Sequence, residues 1–581
     1  MSTQKIPNSQ KQIIQSNDGD YNGNIWSTFN IDLDSDPGTI KTSKKLTKAV
    51  GFDTISSSVV QALQIHDGYY YIATNDDVYR CDVNDDPRVE ANWSSVSSFD
   101  GDDLGFETDM TSFEGQLLVS LGTNIAAYIS TVDDDWWTTG ARSGTALTAN
   151  LPHIMDVLRS GRDTLFITDG SKIRYYNGVS GGTIVEIDSL LTASCMTPSL
   201  DRMWVGSYTE VGNHASVFEV AVGATNTLGD PAYNQSYEVD GRVCLTMWTY
   251  RNTPFVITER GYIQAFNGAS FETVAQFPWA NDSTVMKGCN PGNVQDSSTS
   301  RAIHPKGARV KGRYCYIMVD TTDGFNSGAK INDRSPSGVW VLDMQTYSLT
   351  HRYALTDKTD QFGQQVLTRS GPVLITNTNQ TRIMVGGAVD SQDGADNDEA
   401  VWMESDITNQ GYLVTTRHES NSIADAFESV YVKADTLDTD ETVTLKYKDV
   451  TIPNFPLSIE DVFWLSPNQF TTTNALTNVE VGDEVEITRR DHSGELCNIT
   501  KIEGTTTKTV TVDKNLGTLN DTSDIQIDRY KLMTDEYVAN NGEYKKIGDG
   551  KTSPSRQYKV VMKGDVTVRE IISKSNSKVE L

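Results

Sequence analysis

The chain has 581 residues, 37% of them apolar and 22% charged, with 78 acidic against 49 basic residues for a formal net charge of −29. A length of this order allows several cores or one large repeated array, so two or three structural units are expected. The acids are spread through Asp-rich loops rather than gathered in a tail, and such a balance excludes wrapping nucleic acid by phosphate neutralisation.

From Met1 to Gln12 the chain is polar, without the apolar core of a secretory signal, and no run approaches the roughly 20 apolar residues that cross a bilayer. A soluble product made in the cytoplasm and free of any membrane-spanning segment is expected. Residues 1–58 read as an extended N-terminal arm. Asp36-Pro37-Gly38 marks a turn in it, and Lys41, Lys44, Lys45 and Lys48 form a basic patch. An extended segment with few apolar residues gains order chiefly by docking. Trp26 and these four lysines are therefore the candidate partner contacts.

Residues 59–418 are rich in short runs of Val, Ile, Tyr, Phe and Thr between Gly, Asn and Asp clusters, with almost no helical spacing, which predicts an all-β fold. The clearest repeat pairs Ile167-Thr168, Ile173, Asn177-Gly178 and Thr183-Ile184 with Ile257-Thr258, Ile263, Asn267-Gly268 and Thr273-Val274, every offset kept across 90 residues. Tyr176 and Phe266 share one position. The unit is a strand, a tight turn, a strand ending in an aromatic, an Asn-Gly turn suited to positive φ, and a further strand, which is most of a propeller blade. Ile72, Val119, Trp204-Val205, Ile317 and Ile375-Thr376 mark fainter copies as candidate second strands, at intervals of about 50 residues typical of propellers. Seven candidate blades are counted between Val59 and His418, with six or eight left open.

After His418 the pattern changes. Phe427 to Lys448 predicts two alternating strands around an acidic turn, at the edge of a β-sandwich. Val479 to Thr488 and Asn498 to Val512, with turns at Gly482-Asp483 and Glu503-Gly504, predict a small barrel. The expected organisation is a sandwich from residues 419–457 and 529–581, with a β-barrel of residues 458–528 inserted into it.

No chemistry-bearing motif stands out. The cysteines Cys81, Cys195, Cys244, Cys289, Cys315 and Cys497 show no CxxC pair and read as buried thiols, and the histidines show no HExxH or HxH spacing. Nucleotide-binding loops and a GxSxG elbow are lacking too, so neither catalytic residues nor a cofactor nor a metal site is assigned and a non-enzymatic protein is expected. Asp390 to Glu399 carries enough oxygen ligands for calcium but not the EF-hand pattern. Asp133-Asp134-Asp135 beside Trp136-Trp137 reads as a solvated loop whose tryptophans cover a blade edge, with a glycan contact on those two tryptophans as the alternative, aromatic faces stacking on sugar and carboxylates binding hydroxyls. The basic run Lys306 to Arg313 reads as a strand with its charges facing solvent.

The stretch Asn22 to Leu46 (NGNIWSTFNIDLDSDPGTIKTSKKL), an arm with early Asn and Gly, apolar-polar alternation and a Gly before a basic patch, resembles the opening of the tail-hub, nozzle and DNA-stabilisation proteins of tailed bacteriophages. That resemblance implies a virion protein carrying a propeller and extra β domains, assembled as a ring, expected as a hexamer, in the neck or tail. Its implied partners are other copies of itself, the portal and adaptor, further tail proteins, and DNA passing through the lumen without specific binding. A carbohydrate- or receptor-binding propeller and a glycoside hydrolase are the alternatives.

Overall fold

The structure is a computed structural model that describes residues 2–6, 25–33, 35–36, 39–48, 60–74, 77–96, 108–128, 132–133, 136–137, 146–148, 151, 153–160, 162–179, 181–187, 190–209, 214–221, 232–277, 280, 302–320, 337–355, 367–376, 382–390, 397–408, 410–415, 418–419, 425–449, 457–477, 479–487, 496–515, 522–528, 530–532, 545–553 and 555–577. Nearly all of these lie in antiparallel strands or their turns, and the 3-10 turn Glu90–Asn92 is the one helical element among the described residues.

Seven four-stranded antiparallel sheets form the propeller. We number them as blades 1 to 7: residues 60–95, 110–133, 155–186, 191–238, 244–276, 308–353, and 367–408 completed by 44–48. Their first strands touch in cyclic order, and the seventh returns to the first, so the ring closes. Blade 3 shows why the repeat is legible. Arg162–Asp169, Lys172–Tyr176 and Gly181–Glu186 are its second to fourth strands, and the Asn177-Gly178 turn places Gly178 at φ 79°. Blade 5 repeats this with Thr253–Thr258, Tyr262–Phe266 and Phe271–Gln276, and with Gly268 at φ 101°. In blade 7 the expectation was one strand out. Ile375 ends the first strand, Leu367–Ile375, and the second is Ile383–Asp390. The end of the first strand (Val373-Leu374-Ile375) and the start of the second (Ile383-Met384-Val385) are equally apolar, so local composition alone does not tell them apart.

Blade 7 takes its outer strand from the other end of the propeller sequence. Lys44–Lys48 pairs antiparallel with Asn397–Thr408, matching Leu46 to Glu404 and Lys48 to Trp402. The extended arm expected at residues 1–58 thus docks on its own chain, since its described strands belong to blade 7 and to the sandwich. Leu46 is wholly buried against Trp402, Tyr316, Val341 and Val385. The strand docks because its apolar side chain completes that core while its backbone covers an open sheet edge. Leu46→Ala is expected to cost about 3 kcal/mol and to lower the propeller's melting temperature, read by differential scanning calorimetry. A change no larger than that of an exposed-site control would refute this closure.

Beyond blade 7 stands a sandwich of two six-stranded sheets. One orders Ile31–Asp32, Ile40–Thr42, Thr567–Ser577, Asp425–Ala434 and Lys545–Ser553, with Ser2–Ile6 also on Thr567–Ser577. The other orders Ile25–Phe29, Gly411–Thr415, Ser555–Lys563, Thr442–Asp449 and Lys531–Leu532, with His418–Glu419 on Ser555–Lys563. Asp425–Ala434 and Thr442–Asp449 thus fall in opposite sheets, and the acidic turn between them crosses the sandwich edge. Ile31, Ile40, Val430, Val432, Leu445, Val560 and Ile571 fill the space between the sheets.

Between the strands Thr442–Asp449 and Lys531–Leu532 is inserted a closed six-stranded barrel with Trp464, Phe470, Val485, Ile499, Val510 and Ile525 inside. Its turns place Gly482 at φ 95° and Gly504 at φ 91°. At the seam between barrel and sandwich, Lys446 Nζ reaches Glu484 at 2.9 Å and Asp528 at 3.1 Å, and Lys559 lies 3.7 Å from Asp528. Burial by itself would raise the Asp528 carboxyl, but Lys559, Lys446 and the Tyr530 N–H together hold it below the usual carboxylate range.

Candidate functional site

The propeller axis gathers side chains that are far apart in sequence. Lys306, just before the first strand of blade 6, points inward, and its ammonium donates to the Met155 carbonyl of blade 3 at 2.6 Å. The same nitrogen lies 3.5 Å from Asp109, before blade 2, and 3.7 Å from Asp156 of blade 3. Asp109 is buried, and both its oxygens are engaged. Oδ1 accepts from the Met110 N–H at 2.8 Å and Oδ2 from the Met155 N–H at 2.7 Å. Burial pushes this carboxyl up, against the pull of Lys306 and of the two N–H groups. With its oxygens so committed, Asp109 acts as a brace across the ring rather than as an acid or base facing substrate.

Beside this brace is a cavity of about 350 Å³. Asp156, Lys306 and Arg309 bring charge to its wall, Thr197 and Thr249 bring hydroxyls, and Met196, Met247 and Trp248 are among its apolar walls. Arg309 donates Nε–H to the Val373 carbonyl of blade 7 at 3.2 Å, which holds its guanidinium between two first strands. The run from Lys306 to Arg313 was expected to face solvent, and the structure corrects this in part. Lys306 is buried at the axis, Arg309 is half-buried in the cavity wall, and Lys311 is exposed. Nothing in the local pattern marks Lys306, whose burial depends on acids from two other blades.

A second constructed region joins sandwich to propeller. Asn30 turns the chain between the two sandwich sheets at φ 51°, a conformation Asn tolerates. Its side chain accepts from the Ala354 N–H at 2.8 Å and donates to the Gln410 carbonyl at 3.1 Å. In the last strand of blade 6, His351 accepts at Nδ1 from the Asn30 N–H at 3.2 Å, and its Nε2 lies 2.9 Å from the Ser337 carbonyl. A carbonyl only accepts, so Nε2 carries the proton, and the neutral tautomer is the one that satisfies both contacts. Burial lowers the His351 pKa to about 4 although the Ser337 contact opposes it. Phe29 stacks on the imidazole at 4.9 Å, and Arg352 pairs with Asp32 at 2.8 Å.

The candidate partner contacts of the arm are divided between the sandwich and blade 7. Trp26 falls in the strand Ile25–Phe29 and its side chain lies outside the described residues. Lys41, in a sandwich strand, pairs with Asp36 at 3.3 Å, and Lys44, on the closing strand, lies 3.8 Å from Asp406. Lys45 and Lys48 are half-buried along that closing strand.

The glycan-contact expectation fails at its two residues. Trp136 and Trp137 are 1% and 0% exposed, packed in one core with Phe113, Met155, Ile167 and Tyr176, so neither ring offers a face to a sugar. Their indoles fill the space between blades 2 and 3, where Trp136 meets Tyr176 edge-on at 5.6 Å. Asp134 and Asp135 lie outside the described residues, as does most of the Asp390 to Glu399 loop. Cys81, Cys195, Cys244, Cys315 and Cys497 are buried free thiols, and Cys289 lies outside the described residues. Among the described residues no group of three or more His, Cys, Asp or Glu is placed to hold a metal ion, and no helix is long and apolar enough to cross a membrane.

No family model and no curated protein matches this chain. Solved structures to which it is similar include the computationally designed Ika8 protein, at TM-score 0.32 and 9% identity over 62% of this chain and 99% of that one. BBS1N in its complex with ARL6DN gives TM-score 0.35 at 9% identity over 63% and 99%. Hsv2 of Kluyveromyces lactis gives 0.31 at 10% identity over 61% and 98%. Scores this low carry no argument, and the propeller rests on its own strand pairing and ring closure.

Proposed function

We propose that this chain is a non-enzymatic structural subunit of a tailed-bacteriophage particle, assembling as a ring in the neck or tail and contacting the portal and adaptor. The observation that carries the reading is the role of the segment resembling the hub and nozzle family. Residues 25–48 supply strands to both sandwich sheets and to blade 7, and so weld propeller and sandwich into one body. A subunit that transmits force between neighbours needs such a connection, because domains joined by a lone linker move independently. The formal charge of −29 fits a lumen that DNA traverses without adhering, since acidic walls repel phosphate.

The test is native mass measurement of the purified full chain together with its quantification in phage particles. A closed ring, expected as a hexamer, and a fixed ratio to the portal protein support the proposal. A monomer at all concentrations that is absent from particles overturns it.

A further inference from the structure

The cavity at the propeller axis has the mixed composition of a small-molecule site, with apolar walls on one part and convergent polar groups on another. Its charges differ in availability. Lys306 is occupied by the Met155 carbonyl and by the two acids Asp109 and Asp156. Asp156 accepts from the Val157 N–H at 2.8 Å and faces Lys306. Arg309, by contrast, uses Nε toward Val373, so its planar fork keeps terminal amino groups for a further acceptor. A guanidinium with free terminal donors is suited to a bidentate carboxylate. Two cations and two acids cancel, so a singly charged anion fits on Arg309 and a dianion is repelled by Asp156 and Asp109.

We propose that the axial cavity binds a small organic monocarboxylate with an apolar or aromatic body, its carboxylate on Arg309 and its body against Met196, Met247 and Trp248. The hydroxyls of Thr197 and Thr249, 3.2 Å apart across blades 4 and 5, line the same space. Trp248 is held by stacking on Phe255 at 5.6 Å, so the apolar wall is rigid before any ligand enters.

Benzoate, benzamide and phenyl phosphate serve as probes of the full-length protein, by isothermal titration and by the rise in melting temperature. Saturable benzoate binding is expected, at least roughly tenfold tighter than that of benzamide or phenyl phosphate, the scale of one charge-assisted pair. Arg309→Gln should weaken benzoate by a similar factor. Thr249→Trp, which fills the cavity while leaving Arg309 in place, should abolish binding. Absence of saturable benzoate binding, equal affinity for benzoate and benzamide, or benzoate binding that survives both substitutions overturns the proposal. The comparison of the three probes uses unaltered protein and so decides the matter even where a variant does not fold.

Discussion

Replacement of Lys306 by methionine is expected to destabilise the propeller by about 3–5 kcal/mol, the usual result of stripping one partner from a buried ion pair. Methionine keeps most of the aliphatic stem, so the loss isolates the charge. Asp109 would then stand without its nearest cation, in a place where burial already favours its neutral form. The direction of the pH dependence follows. A carboxyl whose folded pKa is raised takes up its proton more readily folded than unfolded, so the penalty should be largest at neutral pH and should shrink as pH falls toward the usual carboxylate range. Lys306→Met combined with Asp109→Asn should recover part of the loss, because the buried carboxylate is gone and only the less buried Asp156 is left without its cation. Urea unfolding followed by tryptophan fluorescence at pH 7 and pH 5 reads all three effects. A Lys306→Met variant within about 1 kcal/mol of the parent at pH 7 would show that the brace across the axis is not structural.

Acidification should loosen the joint between sandwich and propeller through His351. Its folded pKa of about 4 lies below the ordinary 6.5, so the unfolded chain binds the proton more tightly between these values. The stability that depends on neutral His351 is therefore complete above pH 6.5 and is withdrawn as pH falls toward 4, amounting to about 3 kcal/mol. The structural reason is a collision of donors. A proton on Nδ1 would face the Asn30 N–H, and Nε2 is already committed to Ser337. His351→Phe preserves the stack with Phe29 and removes the titration, so it should be less stable at pH 7 but flatter across this window. Subtracting the variant's pH profile from the parent's cancels contributions from groups such as Asp528. If the two profiles run parallel from pH 7 to pH 4, His351 does not govern the joint.

Local pattern and distant contact separate cleanly in this chain. The strands of blades 3 and 5 were legible because short β-prone runs and an Asn-Gly turn act within a few residues, and Gly178 and Gly268 take the positive φ such a turn requires. The barrel turns at Gly482 and Gly504 were legible for the same reason. Blade 7 was legible as a blade but not strand by strand, since Ile375 and Ile383 both sit in buried strands of one apolar sheet. For Trp136 and Trp137 the glycan alternative fails, because an aromatic pair beside acids has the same local appearance whether it faces a ligand or fills the core between blades.

What lay beyond local reading depends on residues hundreds of positions apart. Alternation told which residues of Lys44–Lys48 share a face, but not that the strand would close the edge left by Asn397–Thr408. Lys306 looked like any solvated lysine in a basic run. It is buried because the ring brings Asp109, Asp156 and the Met155 carbonyl to its ammonium, and a buried cation is tolerable only with such partners. Side-chain period and turn chemistry are properties of neighbouring residues and are written in the chain itself, whereas burial and pairing belong to surfaces that meet only when the ring closes.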